Sequence, residues 1–447
     1  MGTSLRVMPN LVPHRALPLI LSPDDSFAFS GGAVISVSAF QASAASLAVR
    51  LAPEGAVANL CDNRYRFLVA FAAAVLRSRT TLLPPSRAPS AVTELVAAYP
   101  GCGALDDAAV DGGSSSEAAG PADPSMEFVA AIGHTSGSTG RPAAHAKTWG
   151  GLCATTALNA ATVRAAIGHA AAVQQPWIVA TVPPQHMYGL EMSVLLPLLA
   201  GFGIHGGKPL LPADVAAALD EVPSPRVLVS TPVHLRSLIE SGVEFPDIAV
   251  VVSATAPLRQ PLALRVEQRL RTVLIELFGS TETCVIATRR PAQDECWRAY
   301  PGIRLEPVEN GTVVHAPWLA SDQLLHDIIE IGTDHSFVVV GRQGDLIEVA
   351  GKRASLADLT RRLAGLQGVQ DALVFQPAAE GGGVHRCAAL VVAPGLSARE
   401  VLRRFRQQVD AAFLPRPLVV VQALPRNDVG KLPLEQLLAL LRNARNG

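Results

Sequence analysis

The most distinctive stretch of the chain reads GHTSGSTGRPAAHAKTWG and spans residues 133–150. Its centre sets two glycines among four small hydroxyl residues: Thr135, Ser136, Gly137, Ser138, Thr139 and Gly140. Glycine lets a backbone approach an oxyanion closely, and hydroxyl groups add neutral donors, so the loop suits a phosphate group. The Walker pattern GxxxxGK[ST] does not fit, because no Lys-Ser or Lys-Thr pair follows Gly140. For this loop alone, a flexible Ser/Gly turn is an equally good interpretation.

Three further blocks carry residues that suit a nucleotide site. ELFGSTET, residues 276–283, follows a strand-like run and places Glu282 two residues after Ser280. GRQGDLIEVAGKR spans residues 341–353, and LPRNDVGKLP, near the end of the chain, contains Lys431. Each block alone is a weak signal of a nucleotide site. The next question is therefore which predicted strands and helices could bring the blocks together.

Short apolar runs alternate with alanine-rich, helix-compatible segments through the middle of the chain. The runs are residues 128–134, 177–182, 226–231, 249–254 and 272–279. Such alternation is typical of a mostly parallel sheet flanked by helices, in which ligands gather at the carboxyl ends of the strands. The sequence therefore predicts an α/β fold with a large N-terminal body over residues 1–340.

The pattern changes beyond about residue 341. Short strand-like runs and helical stretches alternate there, with the strands at residues 345–351, 371–377, 387–393 and 418–424 and the helices at 355–366 and 397–412. This pattern predicts a small C-terminal α+β domain over residues 341–447.

Residues 106–126 are rich in Gly, Ser, Ala and Pro, which predicts an exposed linker or loop. The GGSSS within this segment is similar to the serine-rich signature of amidases. That class also needs a matching lysine and a second serine in context, and neither is present, so the linker interpretation is favoured.

Composition argues against several classes of protein. Lys+Arg 37 against Asp+Glu 38 gives a formal net charge of -1, which provides no general attraction to nucleic acid or to an anionic membrane surface. The six cysteines are scattered without a CxxC pair, which fits a reducing compartment and argues against structural zinc. The longest apolar stretch, SVLLPLLAGFGI, is broken by Pro197 and is too short to span a bilayer. We therefore expect a buried helix there, no membrane span and a cytoplasmic protein.

In order and approximate spacing, the four blocks resemble the core motifs of the adenylate-forming superfamily, which includes acyl-CoA synthetases, aryl acid ligases, adenylation domains and luciferases. The resemblance covers residues 133–432, and the four blocks together are highly specific. It implies that the small C-terminal domain is mobile, with a hinge near Gly344. It also implies that a carboxylate reacts with ATP to give an acyl adenylate and pyrophosphate, and that the acyl group then passes to a thiol.

The resemblance assigns the phosphate contacts to the motif residues. Residues 135–140 would cradle the β- and γ-phosphates. Ser280 and Thr281 would contact ATP, with Thr281 hydrogen-bonding the α-phosphate, and Glu282 would hold the Mg²⁺ that bridges phosphate oxygens. Lys431 corresponds to a mobile catalytic lysine that contacts the carboxylate and the bridging oxygen as the adenylate forms.

Other positions match residues around the nucleoside and the acyl group. Asp327, assisted by Arg342, would bind the ribose hydroxyls. The stretch SATAPL, with Thr255 and Ala256, would lie against adenine, and Gly279 would let adenine or the acyl group pass close to the backbone. Three consecutive residues would border the acyl pocket: His186, Met187 and Tyr188. A core histidine is the alternative for His186.

The chain also departs from the family pattern. Ala143 stands where lysine usually follows the loop proline, and the cations nearby are Arg141 and Lys147. In the hinge motif, Gly344 and Glu348 replace more usual residues. These changes favour a remote branch of the family. The short chain and the HAKTW ending are similar to ligases of aryl polyene and xanthomonadin-type pigment pathways.

The sequence thus predicts an ATP- and Mg²⁺-dependent ligase that activates an aromatic acid such as a hydroxybenzoate. The acyl acceptor would be an acyl carrier protein or CoA. A medium-chain fatty acid is the second choice of substrate. A homologue that binds nucleotide without turnover is the alternative from a different functional class, and an amidase would release ammonia without ATP.

Overall fold

The computed structural model describes residues 21–84, 89–112, 124–135, 143–332, 334, 336–342, 346–349, 352–377, 387–426 and 432–446. The chain divides into two compact units, the first comprising Met1–Asp294 with Pro317–Leu319 and the second comprising Glu295–Ala316 with Ala320–Gly447. The predicted division into a large domain, residues 1–340, and a small mobile domain, residues 341–447, stays a prediction. Gly344, the predicted hinge, lies outside the described residues.

The first unit contains two sheets. Its strands are β1 (Ser26–Ser30), β2 (Ala33–Ser36), β3 (Val57–Asn59), β4 (Thr81–Leu83), β5 (Gly103–Leu105), β6 (Val129–Thr135), β7 (Ala143–Thr148), β8 (Trp177–Ala180), β9 (Gly203–His205), β10 (Arg226–Ser230), β11 (Val250–Ser253), β12 (Val273–Ser280) and β13 (Cys284–Arg289). The large sheet has the order β13-β12-β11-β10-β8-β9-β1-β2, and the small sheet has the order β5-β3-β4-β6-β7.

Helices connect these strands. They are α1 (Val37–Arg50), α2 (Arg64–Leu76), α3 (Pro89–Ala98), α4 (Asp107–Asp111), α5 (Trp149–Ile167), α6 (Ala170–Val173), α7 (Met187–Leu190), α8 (Leu196–Ala200), α9 (Pro212–Asp220), α10 (Pro232–Glu240) and α11 (Gln260–Leu270). A π-helical turn, Glu191–Leu195, lies between α7 and α8. This turn and α8 are buried throughout, so the buried helix predicted for the apolar stretch around Pro197 is confirmed.

Both sheets are parallel through their middle. In the large sheet β1, β9, β8, β10, β11 and β12 pair in parallel, and β12 then turns back into antiparallel β13. In the small sheet β5, β3, β4 and β6 pair in parallel, and β6 turns back into antiparallel β7. The predicted α/β architecture is confirmed, and each predicted strand of the middle of the chain is present. The two antiparallel returns matter most here, because each follows directly on a predicted phosphate motif.

The core of the large sheet lies beneath α9, α10 and α11. Strands β8, β10 and β11 have almost no polar side chains in their interior, and residues such as Val179, Leu228 and Val251 are fully buried. They pack against Leu219, Leu235 and other apolar side chains of the helices. Parallel strands covered on both faces are expected to be continuously apolar in this way.

The segment predicted as an exposed linker is partly helical, and there the prediction is wrong. Asp106 caps α4 by accepting a hydrogen bond from the backbone of Ala109 at 2.8 Å. The Arg50 guanidinium donates to the carbonyls of Ala109, Val110 and Gly112 at the other end of the helix. These contacts stabilise a helix that composition alone did not indicate, although none of its side chains is buried. Residues 113–123 lie outside the described part of the chain.

The second unit is an α+β body, as predicted. Its strands are β14 (Trp297–Ala299), β15 (Arg304–Val308), β16 (Gly311–His315), β17 (Gln323–Leu325), β18 (Asp327–Ile331), β19 (Ser336–Arg342), β20 (Leu346–Val349), β21 (Lys352–Ser355), β22 (Asp371–Phe375), β23 (Ala388–Val392) and β24 (Leu418–Val420). Its helices are α12 (Leu356–Ala364), α13 (Ala398–Phe405) and α14 (Leu434–Asn446), with a 3₁₀ turn at Ala411–Phe413.

Strands β22, β23 and β24 form the sheet of this unit's main core, and apolar side chains of α12 and α13 pack on it. Strands β15, β16 and β17 form a separate antiparallel sheet, and β18 pairs with β19. Over the residues that the structure describes, no helix is both long and apolar enough to cross a membrane.

Candidate functional site

The end of the strand that enters the glycine-rich loop lies against two other elements. Gly133, in β6, is so close to them that a Cβ atom placed on it would lie 2.7 Å from Cγ2 of Thr281 and 3.6 Å from Sδ of Met187. The absent side chain thus lets the turn after β12 and the start of α7 meet β6. Of the predicted loop contacts, Thr135 ends β6, whereas Ser136, Gly137, Ser138, Thr139 and Gly140 lie outside the described residues.

The turn between β12 and β13, residues 281–283, is here called the acidic turn. The backbone N–H of Ser280 donates to Oγ1 of Thr283 at 3.2 Å, and the Ser280 hydroxyl accepts from the N–H groups of Glu282 and Thr283 at 3.2 and 3.3 Å. Cys284, the next residue, has φ +61°, which reverses the chain into β13. Ser280 and Thr283 therefore fix the backbone on which Thr281 and Glu282 sit. The predicted contact of Ser280 with the nucleotide stays a prediction.

The Glu282 carboxylate lies beside β7. Its Oε1 is 3.6 Å from Nε2 of His145, and the same ring nitrogen is 3.0 Å from Oγ1 of Thr135. Partial burial on its own would raise the pKa of Glu282. The Ser280 hydrogen bond and the fields of His145 and Lys147 act the other way, so the pKa lies below its ordinary value. Glu282 is thus ionised at neutral pH.

His145 connects the two motifs without adding a charge at neutral pH. Burial is the main cause that lowers its pKa below the ordinary value, and the nearby charge of Lys147 acts in the same direction, while Glu282 opposes them. Gly133 is the register partner of His145 across β6 and β7, so no side chain stands between the imidazole and the acidic turn. The imidazole therefore lies between Thr135 and Glu282 as a neutral polar group.

Two side chains hold the backbone carbonyls of the acidic turn. Nζ of Lys147 donates to the carbonyl oxygen of Glu282 at 2.6 Å, and Nε1 of Trp318 donates to that of Thr283 at 3.1 Å. Lys147 is only 7% exposed. An ammonium group placed this deeply needs a good acceptor, and the carbonyl provides one.

A buried acid lies behind Lys147. Oε1 of Glu191 accepts from the backbone N–H of Val285 at 3.1 Å and from Nδ2 of Asn159 at 3.3 Å. Burial raises the pKa of Glu191 to about 7, although both hydrogen bonds and the charge of Lys147 lower it in part. The carboxyl of Glu191 thus changes its protonation near neutral pH, which makes it a stability-determining group.

We expect the free energy of unfolding of a Glu191→Gln variant to depend less on pH than that of the parent. Between pH 4.5 and 7 the folded parent keeps a proton that the unfolded chain has released, so its stability falls as pH rises through this window. The full difference between pH 4.5 and 8 is roughly 3 kcal/mol at most. Urea unfolding at both pH values measures it. The exposed Glu127→Gln variant is the control, and equal pH slopes for Glu191→Gln and parent would contradict the assignment.

The predicted acyl-pocket residues lie together at the carboxyl end of the large sheet. The hydroxyl of Tyr188 is buried and lies 2.8 Å from the carbonyl oxygen of Val252 and 3.1 Å from that of Ser230. Tyr188 therefore connects the ends of β10 and β11. Met187 lies beside Thr281, as described above for Gly133, and half-buried His186 precedes α7. The substrate contacts of these three residues stay predictions.

The loop after β11 is held by a buried ion pair. Oε1 of Glu276 accepts from the backbone N–H of Leu258 at 2.8 Å, and Arg289 contacts the other carboxylate oxygen at 2.7 Å. Arg289 also donates to the carbonyl of Leu258 at 3.2 Å. In this loop Thr255 has φ +80°, a conformation that β-branched residues rarely adopt, and its side chain is exposed, with Ala256 half-buried beside it. Strain of this kind is concentrated at functional sites.

Glycine is required at position 279 for a structural reason that the sequence did not indicate. A Cβ at this position would lie 2.2 Å from the carbonyl oxygen of Cys284 and 2.7 Å from Cα of Val285. The register of β12 and β13 shifts between Phe278 and Gly279. The glycine is thus required for the close return of β13, and its predicted role beside a ligand stays a prediction.

In the second unit, Asp327 and Arg342 are register partners on β18 and β19. The backbone carbonyl of Asp327 accepts from the hydroxyl of Thr312 at 2.7 Å. The pairing of β18 with β19 therefore places the backbones of the two predicted ribose residues opposite each other. Lys431 lies outside the described residues.

Sequence reasoning missed several residues that build the site: Gly133, His145, Glu191 and Trp318. Lys147 was considered only as a substitute for the lysine missing at Ala143. Alternation on β7 gives a usable signal, since residues 143, 145 and 147 share one face of a strand. Glu191 is also an acid at the start of an apolar stretch, which marks a group that must be buried with partners.

Comparisons with known proteins agree with this geometry. A family model described as AMP-binding enzyme matches residues 88–309. The 4-coumarate–CoA ligase of Halorhodospira halophila is 28% identical over 306 residues, which cover 67% of this chain and 73% of that relative.

Solved structures match over nearly the whole chain. ATP-bound MatB from Rhodopseudomonas palustris has a TM-score of 0.76 at 18% identity, covering 94% of this chain and 97% of that one. The o-succinylbenzoate CoA synthetase (MenE) from Bacillus subtilis, in complex with its acyl-adenylate intermediate, has a TM-score of 0.73 at 19% identity, covering 94% and 96%. The same enzyme is also known in complex with ATP and a magnesium ion. At these identities the structural matches establish a shared fold.

Proposed function

Because the chain belongs, over residues 88–309, to the AMP-binding enzyme family, we propose that it is an AMP-forming acid–thiol ligase that uses ATP and Mg²⁺. The family resemblance carried by the four sequence blocks is thereby confirmed. The observation that supports the activity most directly is the acidic turn, where ionised Glu282 lies beside His145, whose imidazole also contacts Thr135 at the end of the strand that enters the glycine-rich loop.

The residues around the acidic turn fit a magnesium ion. Mg²⁺ prefers oxygen ligands, and it commonly uses one or two protein carboxylates together with phosphate oxygens of the substrate. Glu282 offers a carboxylate that is already ionised, partly exposed and fixed by a rigid turn. When bound, such an ion would offset the negative charge of the phosphates.

The residues of the first unit supply orientation and neutral donors. The hydrogen bonds of Ser280 and Thr283 fix the backbone that carries Thr281, so this backbone does not have to be ordered when the substrate binds. We assign Thr281 to the α-phosphate, at which the acid attacks. Thr135 and the following loop would hold the outer phosphates through hydroxyl and backbone N–H groups. Pyrophosphate then leaves as the acyl adenylate forms.

Lys431 is assigned to the attack itself. The carboxylate and the α-phosphate repel each other, and an ammonium group between them stabilises the charge that develops on the bridging oxygen. Asp327 and Arg342 would bind the ribose, since they are paired in β18 and β19. Rotation of the C-terminal part about Gly344 would then switch the enzyme from adenylation to thioester formation. Closure of the site would also exclude water from the adenylate.

For the substrate we propose an aromatic acid of the hydroxybenzoate type, and for the acceptor an acyl carrier protein or CoA. Two named relatives support an aromatic acid, the 4-coumarate–CoA ligase and the o-succinylbenzoate CoA synthetase. Of the predicted pocket residues, His186 is half-buried, and Met187 and Tyr188 are buried at the end of the large sheet. The HAKTW ending of the first block is the basis on which we keep the pigment-pathway branch as our finer proposal.

ATP–pyrophosphate exchange over a panel of benzoates, cinnamates and C6–C12 fatty acids tests this proposal. We expect exchange that depends on a hydroxylated aromatic acid and exceeds that with any fatty acid by at least about tenfold, which corresponds to about 1.4 kcal/mol. Fatty acid-dependent exchange would replace the substrate assignment. ATP binding without exchange by any acid would favour a non-catalytic nucleotide-binding protein. Product thioesters formed with CoA and with a carrier protein distinguish the acceptors.

A further inference from the structure

We propose that Lys147 is a positioning residue that fixes the acidic turn to β7, so that the Glu282 carboxylate is oriented for a divalent cation and ATP. This inference rests on the proposed function, since it concerns the same site. It assigns a role to a buried cation near the end of the first sequence block, beyond the glycine-rich loop itself.

Lys147 does not replace the lysine missing at Ala143. The two residues share one face of β7, but they are four positions apart, which corresponds to about 13 Å along a strand. The ammonium group of Lys147 is also occupied, because it lies 2.6 Å from the carbonyl oxygen of Glu282. Lys147 therefore acts on the acidic turn from the end of β7 that is farther from the glycine-rich loop.

The choice of acceptor decides what Lys147 does for a cation. If its ammonium paired with the carboxylate of Glu282, it would compete with Mg²⁺ for the same oxygens. It binds the backbone carbonyl of that residue and leaves the carboxylate facing His145. The hydrogen bond joins residues 135 positions apart, and so it sets the distance between the strand leaving the loop and the acidic turn.

The charge of Lys147 adds to this geometric effect. Its field lowers the pKa of Glu282 on one side and that of Glu191 on the other, which places a fixed positive charge between two acids. Trp318 provides the comparison within the same turn, since its indole holds the next carbonyl, that of Thr283, as a neutral donor. Of these two donors, Lys147 is the one that combines the restraint with a charge.

The test is a Lys147→Met variant of the full chain, studied by calorimetric titration of ATP at a series of Mg²⁺ concentrations without any acid. Groups that orient metal ligands typically contribute 10- to 100-fold in metal affinity. We expect the Mg²⁺ concentration for half-maximal ATP binding to rise at least about tenfold. Lys147→Arg keeps a charged donor and is expected to restore most of the affinity. Lys208→Met, at a half-buried lysine in the loop after β9, is the matched control.

Methionine fills the space of the buried stem, so a role in packing alone predicts unchanged Mg²⁺ dependence and an equal or higher unfolding temperature. That result would overturn the inference. Lys147→Gln removes the charge with a shorter polar chain, and we expect it to raise the Mg²⁺ requirement as Lys147→Met does. It is measured in parallel, so that the inference is still tested if the methionine variant does not fold. If the parent protein itself binds no ATP with Mg²⁺, the proposed function fails and this inference fails with it.

Discussion

Glu282→Gln is expected to lower acid-dependent ATP–pyrophosphate exchange by about 10²- to 10³-fold, the range observed when one electrostatic contact to a transition state is removed. Glutamine keeps the shape of the side chain and the backbone N–H that donates to Ser280, so the acidic turn persists. It removes the negative charge that Mg²⁺ requires. The loss should therefore be accompanied by a higher Mg²⁺ requirement, which we would measure as exchange rate against free Mg²⁺ at saturating ATP.

Glu244→Gln is the control for this prediction, because Glu244 is an exposed carboxylate of the same unit that pairs with Arg269 on the surface. It should exchange at the parental rate. Parental exchange by Glu282→Gln, with an unchanged Mg²⁺ requirement, would remove the metal assignment. A loss that persists at any Mg²⁺ concentration would instead assign Glu282 a role in the nucleotide contacts themselves.

The site is organised around backbone positions as much as around side chains. Gly133 lets β6 touch Thr281, and Gly279 lets β13 return within van der Waals distance of β12. On this frame Lys147 acts on two acids, Glu282, which is ionised at neutral pH, and Glu191, whose pKa burial raises to about 7. Such an arrangement keeps a carboxylate ionised next to a buried ammonium group without a direct ion pair, and it leaves the carboxylate available to a cation.

Much of the fold is predictable from the sequence, because hydrophobic runs have strong local causes. Strands β6, β8, β10, β11 and β12 appear where continuous apolar runs end in small or hydroxyl residues. The place of the acidic turn follows in the same way, since ELFGSTET continues from a buried strand. What is missed locally is the short helix α4, which depends on three carbonyls held by Arg50, a residue from a different helix.

The support of the site is not predictable from local pattern. Lys147 and Glu282 meet across 135 positions, and Glu191 and Val285 meet across 94. The first contact depends on the packing of β7 against the turn between β12 and β13, and the second on the packing of the π-helical turn against β13. No periodicity within any of these segments encodes such packing. A glycine such as Gly133 likewise shows its purpose only when Thr281 is seen beside it. The sequence therefore indicates which residues do chemistry better than which residues hold them in place.

The two half-reactions should respond differently to Lys431→Ala. Adenylation brings two anions together, and we expect its rate, measured as pyrophosphate exchange, to fall by about 10²- to 10³-fold when the ammonium group is lost. Transfer of the acyl group from a supplied acyl adenylate to the thiol involves no such pair of anions at the start. We expect that rate to stay within about threefold of the parent's, a difference of less than 1 kcal/mol in the barrier.

Chemically synthesised acyl adenylate of the preferred acid, mixed with enzyme and thiol, measures the second half-reaction directly. Lys208→Ala serves as the control, since Lys208 lies in the loop after β9 and outside the four motifs. Adenylation by Lys431→Ala at the parental rate would mean that another cation acts on the bridging oxygen, and Arg141 is then the residue to replace next. Equal loss in both half-reactions would assign Lys431 to binding of the adenylate, because a contact present throughout lowers both rates alike.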